Sequence, residues 1–133
     1  MIVADTSAWV EHLRGSDHPV GLVLEGLLER QVDVAVTEVV IAELLGGMLS
    51  RAAFFGLRER LLSLPMLPLE GFADFEEAAL LYRSCRLAGE TPRGIVDCLI
   101  AVPAMKAGAE ILHKNRDFDV IARHSPLKIY RPR

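Results

Sequence analysis

Short apolar runs alternate with helical stretches along the whole chain, and this alternation narrows the choice of fold more than any other feature. Met1 to Ala4, Asp33 to Val36, Glu110 to His113 and Leu127 to Tyr130 read as strands. Between them, Thr6 or Ser7 caps a helix through about Arg14. Pro19 opens a second helix, with Val20, Val23, Leu24, Leu27 and Leu28 at helical spacing. Thr37 caps a third, loosened near its end by Gly46-Gly47. Arg51 to Leu64 reads as a helix stopped by Pro65, and Phe72 to Ala88 as a long one ended by Gly89. Thr91-Pro92-Arg93-Gly94 leads into a helix running towards Gly108, and Arg116 to Arg123 forms a short one. Met66 to Leu69 reads as an edge segment, because Pro68 cannot donate to a ladder. The pattern predicts an α/β fold: a single domain over residues 1–133 with a central, mostly parallel sheet of four to five strands flanked by helices. Pro103 removes a hydrogen bond at a cost of about 3 kcal/mol, so a kink or break is expected there.

Bulk properties exclude several classes of function. A chain of 133 residues is one domain by length, able to bury roughly two-thirds of its unfolded surface. The apolar share of 51% leaves room for surface committed to a partner or to a second copy. No uninterrupted apolar run reaches the roughly 18 residues of a membrane span, and Asp5 interrupts the N-terminus where an export signal would need its apolar core. Cys85 and Cys98 form no CxxC pair, and His12, His18, His113 and His124 have no zinc-ligand spacing. Two isolated thiols without an export signal predict a reducing cytoplasm. The net charge of −3 and isoelectric point near 5.8 exclude nucleic-acid binding by bulk charge. Nucleic-acid chemistry here would need a divalent cation or a local basic patch. A basic protein partner would suit the same balance.

Against that background, Asp5, Glu43, Asp97 and Asp117 stand out, since each adjoins an apolar run that looks like core. A carboxylate in such surroundings is costly to desolvate without a partner or a metal. Asp5 and Asp117 follow closely after two strands, which places them at the carboxyl edge of a parallel sheet, where ligands gather. Glu43 and Asp97 reach the same edge if the crossovers have normal hand. Each also has an ordinary reading. Asp5 suits a turn, Glu43 a solvent-facing helix position, Asp97 the dipole of a helix start, and Asp117 an N-cap. Val39, Val40, Leu44 and Leu45 around Glu43 weigh against the solvent reading. As a set, the acids predict a shared pocket. Converged carboxylates repel unless a cation neutralises them, and hard oxygen donors select Mg²⁺ or Mn²⁺. Such a site performs phosphoryl chemistry through a metal-activated water.

The words around these acids are similar to known motifs: MIVADTSAWV from Met1, VIAELL from Val40, IVDCLIA from Ile95 and HKNRDFDVI from His113. Together, in this order and spacing, they resemble PIN-domain ribonucleases, and especially the VapC-type toxins of bacterial toxin–antitoxin pairs. The resemblance runs along the whole chain. It implies a Mg²⁺-dependent endoribonuclease, with Mn²⁺ able to substitute, whose acidic set is Asp5, Glu43, Asp97 and Asp117. Within it, Asp5 and Asp97 match the metal ligands, and Glu43 and Asp117 would orient water or complete the metal shell. Thr6 and Ser7 match hydroxyl residues that hold a ligand or substrate oxygen. The resemblance further implies a homodimer and a small antitoxin partner. Relatives often carry Asp where this chain has Asn115, which leaves a second metal more in doubt than a first.

Arg14, Arg93, Lys114 and Arg116 flank the pocket in sequence, where phosphate contact and plain surface charge are both open readings. Asn115 joins Arg93 and Arg116 as a secondary substrate candidate. Trp9 reads as core before base-stacking platform, as do Phe54-Phe55 and Leu61-Leu62 before partner contacts, and Cys98 reads as a small buried hydrophobe. Two alternatives to the ribonuclease remain. An aspartyl-phosphate phosphatase would use Asp5 as nucleophile, but Ser7 stands where its second Asp belongs. A PIN-like interaction module with weak or lost catalysis would bind a protein partner through its apolar surface.

Overall fold

The computed structural model describes residues 1–132. Five strands form one sheet: β1 (Ile2–Ala4), β2 (Val34–Thr37), β3 (Met66–Leu67), β4 (Glu110–Leu112) and β5 (Lys128–Ile129). Their spatial order is β3-β2-β1-β4-β5, and every neighbouring pair is parallel. The registers place Val3 between Ala35 and Ile111, with all three fully buried. The central strands β1 and β2 are buried along their whole length, as parallel strands covered on both faces are, while the edge strands β3 and β5 stay partly open.

Seven helices supply that cover: α1 (Thr6–Arg14), α2 (Pro19–Glu29), α3 (Glu38–Gly46), α4 (Arg51–Leu62), α5 (Gly71–Leu87), α6 (Val96–Ala107) and α7 (Arg116–Arg123). From β1 the chain winds outward through β2 to β3, then crosses back to β4 and on to β5. Right-handed crossovers in opposite directions put α1 to α4 on one face and α5 to α7 on the other. The contacts agree, with α1 against α2 and α3, α3 against α4, and α5 against α6 and α7. The direction of winding reverses between β1 and β4, so their carboxyl ends flank the crevice where such sheets bind ligands.

Local chemistry sets the helix ends. Asp5, rather than Thr6 or Ser7, caps α1, its carboxylate accepting the Ser7 N–H. Thr37 caps α3 through the Val40 N–H, as its position predicts. Gly108 ends α6 in the left-handed region at φ 66°, as a residue without Cβ does readily. The expected break at Pro103 does not occur, and α6 runs unbroken from Val96 to Ala107. The ring forfeits one helical donor, but it is buried and lines a depression with Leu67 and Pro68 beside the β3 edge. No helix among the described residues is long and apolar enough to cross a membrane.

The α1–α2 contact depends on a missing side chain. A Cβ added at Gly21 would lie 2.9 Å from the Glu11 carbonyl carbon and 3.0 Å from the His12 nitrogen, both backbone atoms. Gly21→Ala is therefore expected to lower stability by about 1–3 kcal/mol through overpacking. Gly56→Ala, inside α4 with nothing within 4 Å of the new methyl, is expected to raise it by about 0.5–1 kcal/mol. Urea unfolding midpoints of the two variants measure the contrast.

Candidate active site

The four acids reach the β1/β4 crevice on four different segments. Asp5 follows β1, and its N–H donates to the Leu112 carbonyl at 2.9 Å, which ties it to the end of β4. Its Oδ2 accepts from the Ser7 N–H at 3.0 Å and from Ser7 Oγ at 2.6 Å. Ser7 Oγ in turn accepts the Lys114 N–H at 2.9 Å, so one hydroxyl couples α1 to the segment after β4. Asp97 stands in the first turn of α6. That helix delivers the chain to the start of β4, so its own beginning lies at the opposite, carboxyl edge of the sheet. Asp117 stands in the first turn of α7.

Burial differs across the set. Asp5 and Asp117 are buried, at 3% and 4% exposure, and Asp97 is half-buried. Glu43 is exposed, contrary to the expectation from its apolar neighbours. Val40 and Leu44 turn into the core, whereas Glu43 lies on the open side of α3 and accepts from Thr6 Oγ1 at 2.6 Å. Asp117 is not the N-cap of its helix. Asn115 holds that place, its Oδ1 accepting the Asp117 N–H at 3.0 Å.

Asn115 has a second task. Its Nδ2 donates to Asp97 Oδ2 at 3.0 Å, a bond that an aspartate at this position could not make. Burial raises the Asp97 carboxyl to about 6, and Asp5 adds to the rise. The Asn115 hydrogen bond opposes it, while Asp117 and Glu43 contribute further repulsion. Asp97 therefore feels the charge of the other three acids. Among the described residues, no three His, Cys, Asp or Glu side chains are already gathered into a metal cage. The donors are nonetheless all oxygen and carry excess negative charge, which suits a hard divalent cation.

The basic residues sort less simply. Arg93, a candidate for substrate contact, pairs with Asp117, Nε to Oδ2 at 3.1 Å, while most of its side chain stays exposed. Lys114 is engaged by Glu11 at 3.1 Å. Arg116 and Arg14 are exposed, and Arg14 stands at the rim of an apolar groove shared with Thr6, Val10, Leu13, Glu43 and Met48. Trp9 packs in the core, edge-on to His12 with ring centres 5.9 Å apart, and is no stacking platform. Cys98 is fully buried, as expected. Of the two apolar pairs expected inside, Leu61 is fully buried and Phe54 half-buried, while Phe55 and Leu62 are exposed.

Two supporting residues escaped the sequence reading. Glu11 lies four residues after Ser7, on the same helical face, and that spacing was the available signal. Its carboxyl is held below the usual range by Ser16 and Lys114. His113 Nδ1 accepts the Asn115 N–H at 3.0 Å, and burial lowers its ring pKa. The neutral ring then carries its proton on Nε2, which faces Asp119 at 3.5 Å.

Asp97 makes the site visible in stability. Its folded-state value of about 6 exceeds the ordinary 3.8, so between those values the folded chain holds a proton that the unfolded chain has released. Metal-free protein is expected to lose stability as pH rises from about 4 to 6. Asp97→Asn should flatten that decline in urea titrations. An unchanged slope in the variant would mean that Asp97 is not the group responsible.

Comparison with known proteins agrees with this geometry. The family model described as PIN domain matches residues 2–124. The chain is 42% identical over 129 residues to a VapC ribonuclease of Mycobacterium bovis and to Ribonuclease VapC11 of Mycobacterium tuberculosis, covering 96% of each chain in both cases. Among solved structures, VapBC2 from Rickettsia felis, bound to a DNA fragment from its promoter, aligns with a TM-score of 0.74 at 22% identity, covering 98% of both chains. DNA-bound VapBC from Salmonella typhimurium gives 0.73 at 18% identity, covering 97% of this chain and 96% of the other. These two likenesses establish the fold. With the family match and the 42% relatives, the conclusion is that the chain belongs to the PIN-domain family and, within it, to the VapC-type ribonucleases.

Proposed function

We propose that this chain is the toxin of a toxin–antitoxin pair, a Mg²⁺-dependent endoribonuclease that cuts RNA with a water activated at the Asp5, Glu43, Asp97 and Asp117 cluster. The observation that carries the reading is the convergence of carboxylates from four separate segments on the β1/β4 crevice. The names of the 42% identical relatives supply the substrate class.

The hydrogen bonding supports a role for the chain's own residues in such a reaction. The side-chain hydrogen bonds to Asp5 all engage Oδ2, and the one to Asp97 also engages Oδ2. Each acid is thus held by one oxygen and can offer its Oδ1 as a ligand. Ser7 and Asn115 orient these two carboxylates, the outer-shell support that ligating groups need. A divalent cation held there would lower the pKa of a coordinated water and offset charge building on the phosphate. Glu43, exposed and bonded to Thr6, would orient the attacking water. Mn²⁺, with similar ligand preferences, is expected to replace Mg²⁺.

The antitoxin belongs to the same proposal. The groove between α1 and α3, about 360 Å³ and lined by Val10, Leu13, Leu44 and Met48, opens beside Thr6 and Glu43. A small apolar and basic segment laid there would reach the acids. A homodimer is the further part, supported by Phe72, Phe75, Leu80 and Leu87 exposed along α5. The cytoplasm is the compartment that such a partner and substrate imply. The competing reading, an interaction module without catalysis, draws on the absence of a gathered cage among the described residues.

Incubation of purified protein with total RNA and Mg²⁺ is expected to yield fragments with 5′-phosphate ends. EDTA should abolish cleavage, and Asp5→Asn or Asp97→Asn should lower it at least about 100-fold with the fold intact by circular dichroism. Undiminished cleavage by both variants would sink the proposal. Loss of all RNA cleavage by the wild type, with the apolar partner surface still binding, would favour the module.

A further inference from the structure

Asp117 is almost fully buried, yet the side-chain hydrogen bonds to its carboxylate come from a single residue. Arg93 donates to Asp117 Oδ2 twice, from its backbone N–H at 3.3 Å and from Nε at 3.1 Å. The other arm of the same guanidinium, Nη2, donates to Asn115 Oδ1 at 3.1 Å. Asn115 then continues the chain of contacts to Asp97 through its Nδ2. At this end of the crevice one negative group faces one positive group, with a neutral amide between them. At the other end, Asp5, Asp97 and Glu43 have hydroxyl, amide and backbone N–H partners and, among the described residues, no basic side chain bonded to them.

We propose that Arg93 is a positioning residue that serves as a built-in cation at the Asp117–Asn115 end, so that the site takes up a single divalent ion, on Asp5 and Asp97. The inference rests on the metal-dependent reading above and adds to it the ion count and the group that sets it. In a two-metal site the ions stand about 3.5–4 Å apart and share a carboxylate wall. A second ion here would take Asp117 and residue 115 as ligands. Asp117 Oδ2 and Asn115 Oδ1 are the atoms that the guanidinium already engages.

Arginine suits this post because its fork is planar and stays charged at any physiological pH. Its side chain is 76% exposed, and on that ground alone the ion pair would contribute little. The weight lies on the other partner. The Asp117 side chain is 6% exposed, and without Arg93 it would be a buried carboxylate with no cation, beside further carboxylates. Such a group either takes up a proton or recruits another ion.

The test is calorimetric titration of the whole chain, stripped with EDTA and dialysed, using Mn²⁺ alone as the probe. The wild type is expected to bind one ion per chain. Arg93→Met, which keeps the bulk of the side chain and removes its charge, is expected to bind two. Arg93→Lys restores a cation and should return the count to one. Paramagnetic resonance gives an independent readout: an isolated Mn²⁺ signal for wild type and Arg93→Lys, and dipolar broadening between paired ions for Arg93→Met. A purely structural role would leave the count at one in all three proteins. Two ions in the wild type, or one ion at unchanged affinity in Arg93→Met, overturns the role of Arg93 and leaves the nuclease reading standing. No Mn²⁺ uptake by any of the proteins overturns both.

Discussion

The carboxylate of Asp5 binds fold and site together. It ends the central strand and begins the first helix, so its backbone is held by the Leu112 carbonyl and its side chain by Ser7. An N-cap satisfies a donor that the first turn would otherwise leave without a partner. Here the cap is also the most buried member of the acid cluster. Its orientation is thus set by the requirements of α1, and the crevice inherits a carboxylate already in place. Glu11, Lys114 and Ser7 extend that constraint from α1 to the segment after β4. Gly21 lets α2 press directly on the backbone of α1 from behind.

The cluster is uneven in charge, and the unevenness has a topological origin. Asp117 and Asn115 lie beyond β4, and Arg93 lies in the loop that feeds α6, so they meet on the α6–α7 side. Asp5 and Glu43 come from the opposite helical layer, and neither is hydrogen-bonded to a basic side chain among the described residues. Asp97 stands between the two groups, and burial first, then the neighbouring acids, raises its carboxyl to about 6. The opposing hydrogen bond depends on Asn115 being an amide. A carboxylate there would have traded a donor for further repulsion.

Most of the architecture was legible because it follows from period and punctuation. The apolar runs at Met1–Ala4 and Glu110–His113, Pro19 at a helix start and Gly108 at a helix end each carry their meaning locally. What was not legible depends on which way a side chain points once packed. Glu43 sits among apolar residues in sequence, but the helix turns Val40 and Leu44 inward and leaves it outside. Pro103 carries a local break signal, yet α6 continues through it. The pairing of Arg93 with Asp117 spans 24 residues and joins two loops, and no spacing rule connects them. The position of the crevice was readable from the sequence, but the contacts inside it were not.

The parallel topology also orders events in time. β1 pairs with β4, and Ser7 meets Lys114 across 107 residues, so the centre of the sheet is open on one side until the last third of the chain is present. Contacts of such separation form late in folding, and in synthesis they cannot form earlier than their second half emerges. Asp97, Asn115 and Asp117 all lie in that final portion. A chain still being translated carries Asp5 and Glu43 without the groups that complete their surroundings. The crevice is thus incomplete through most of synthesis, and it is assembled only as β4 and α7 dock.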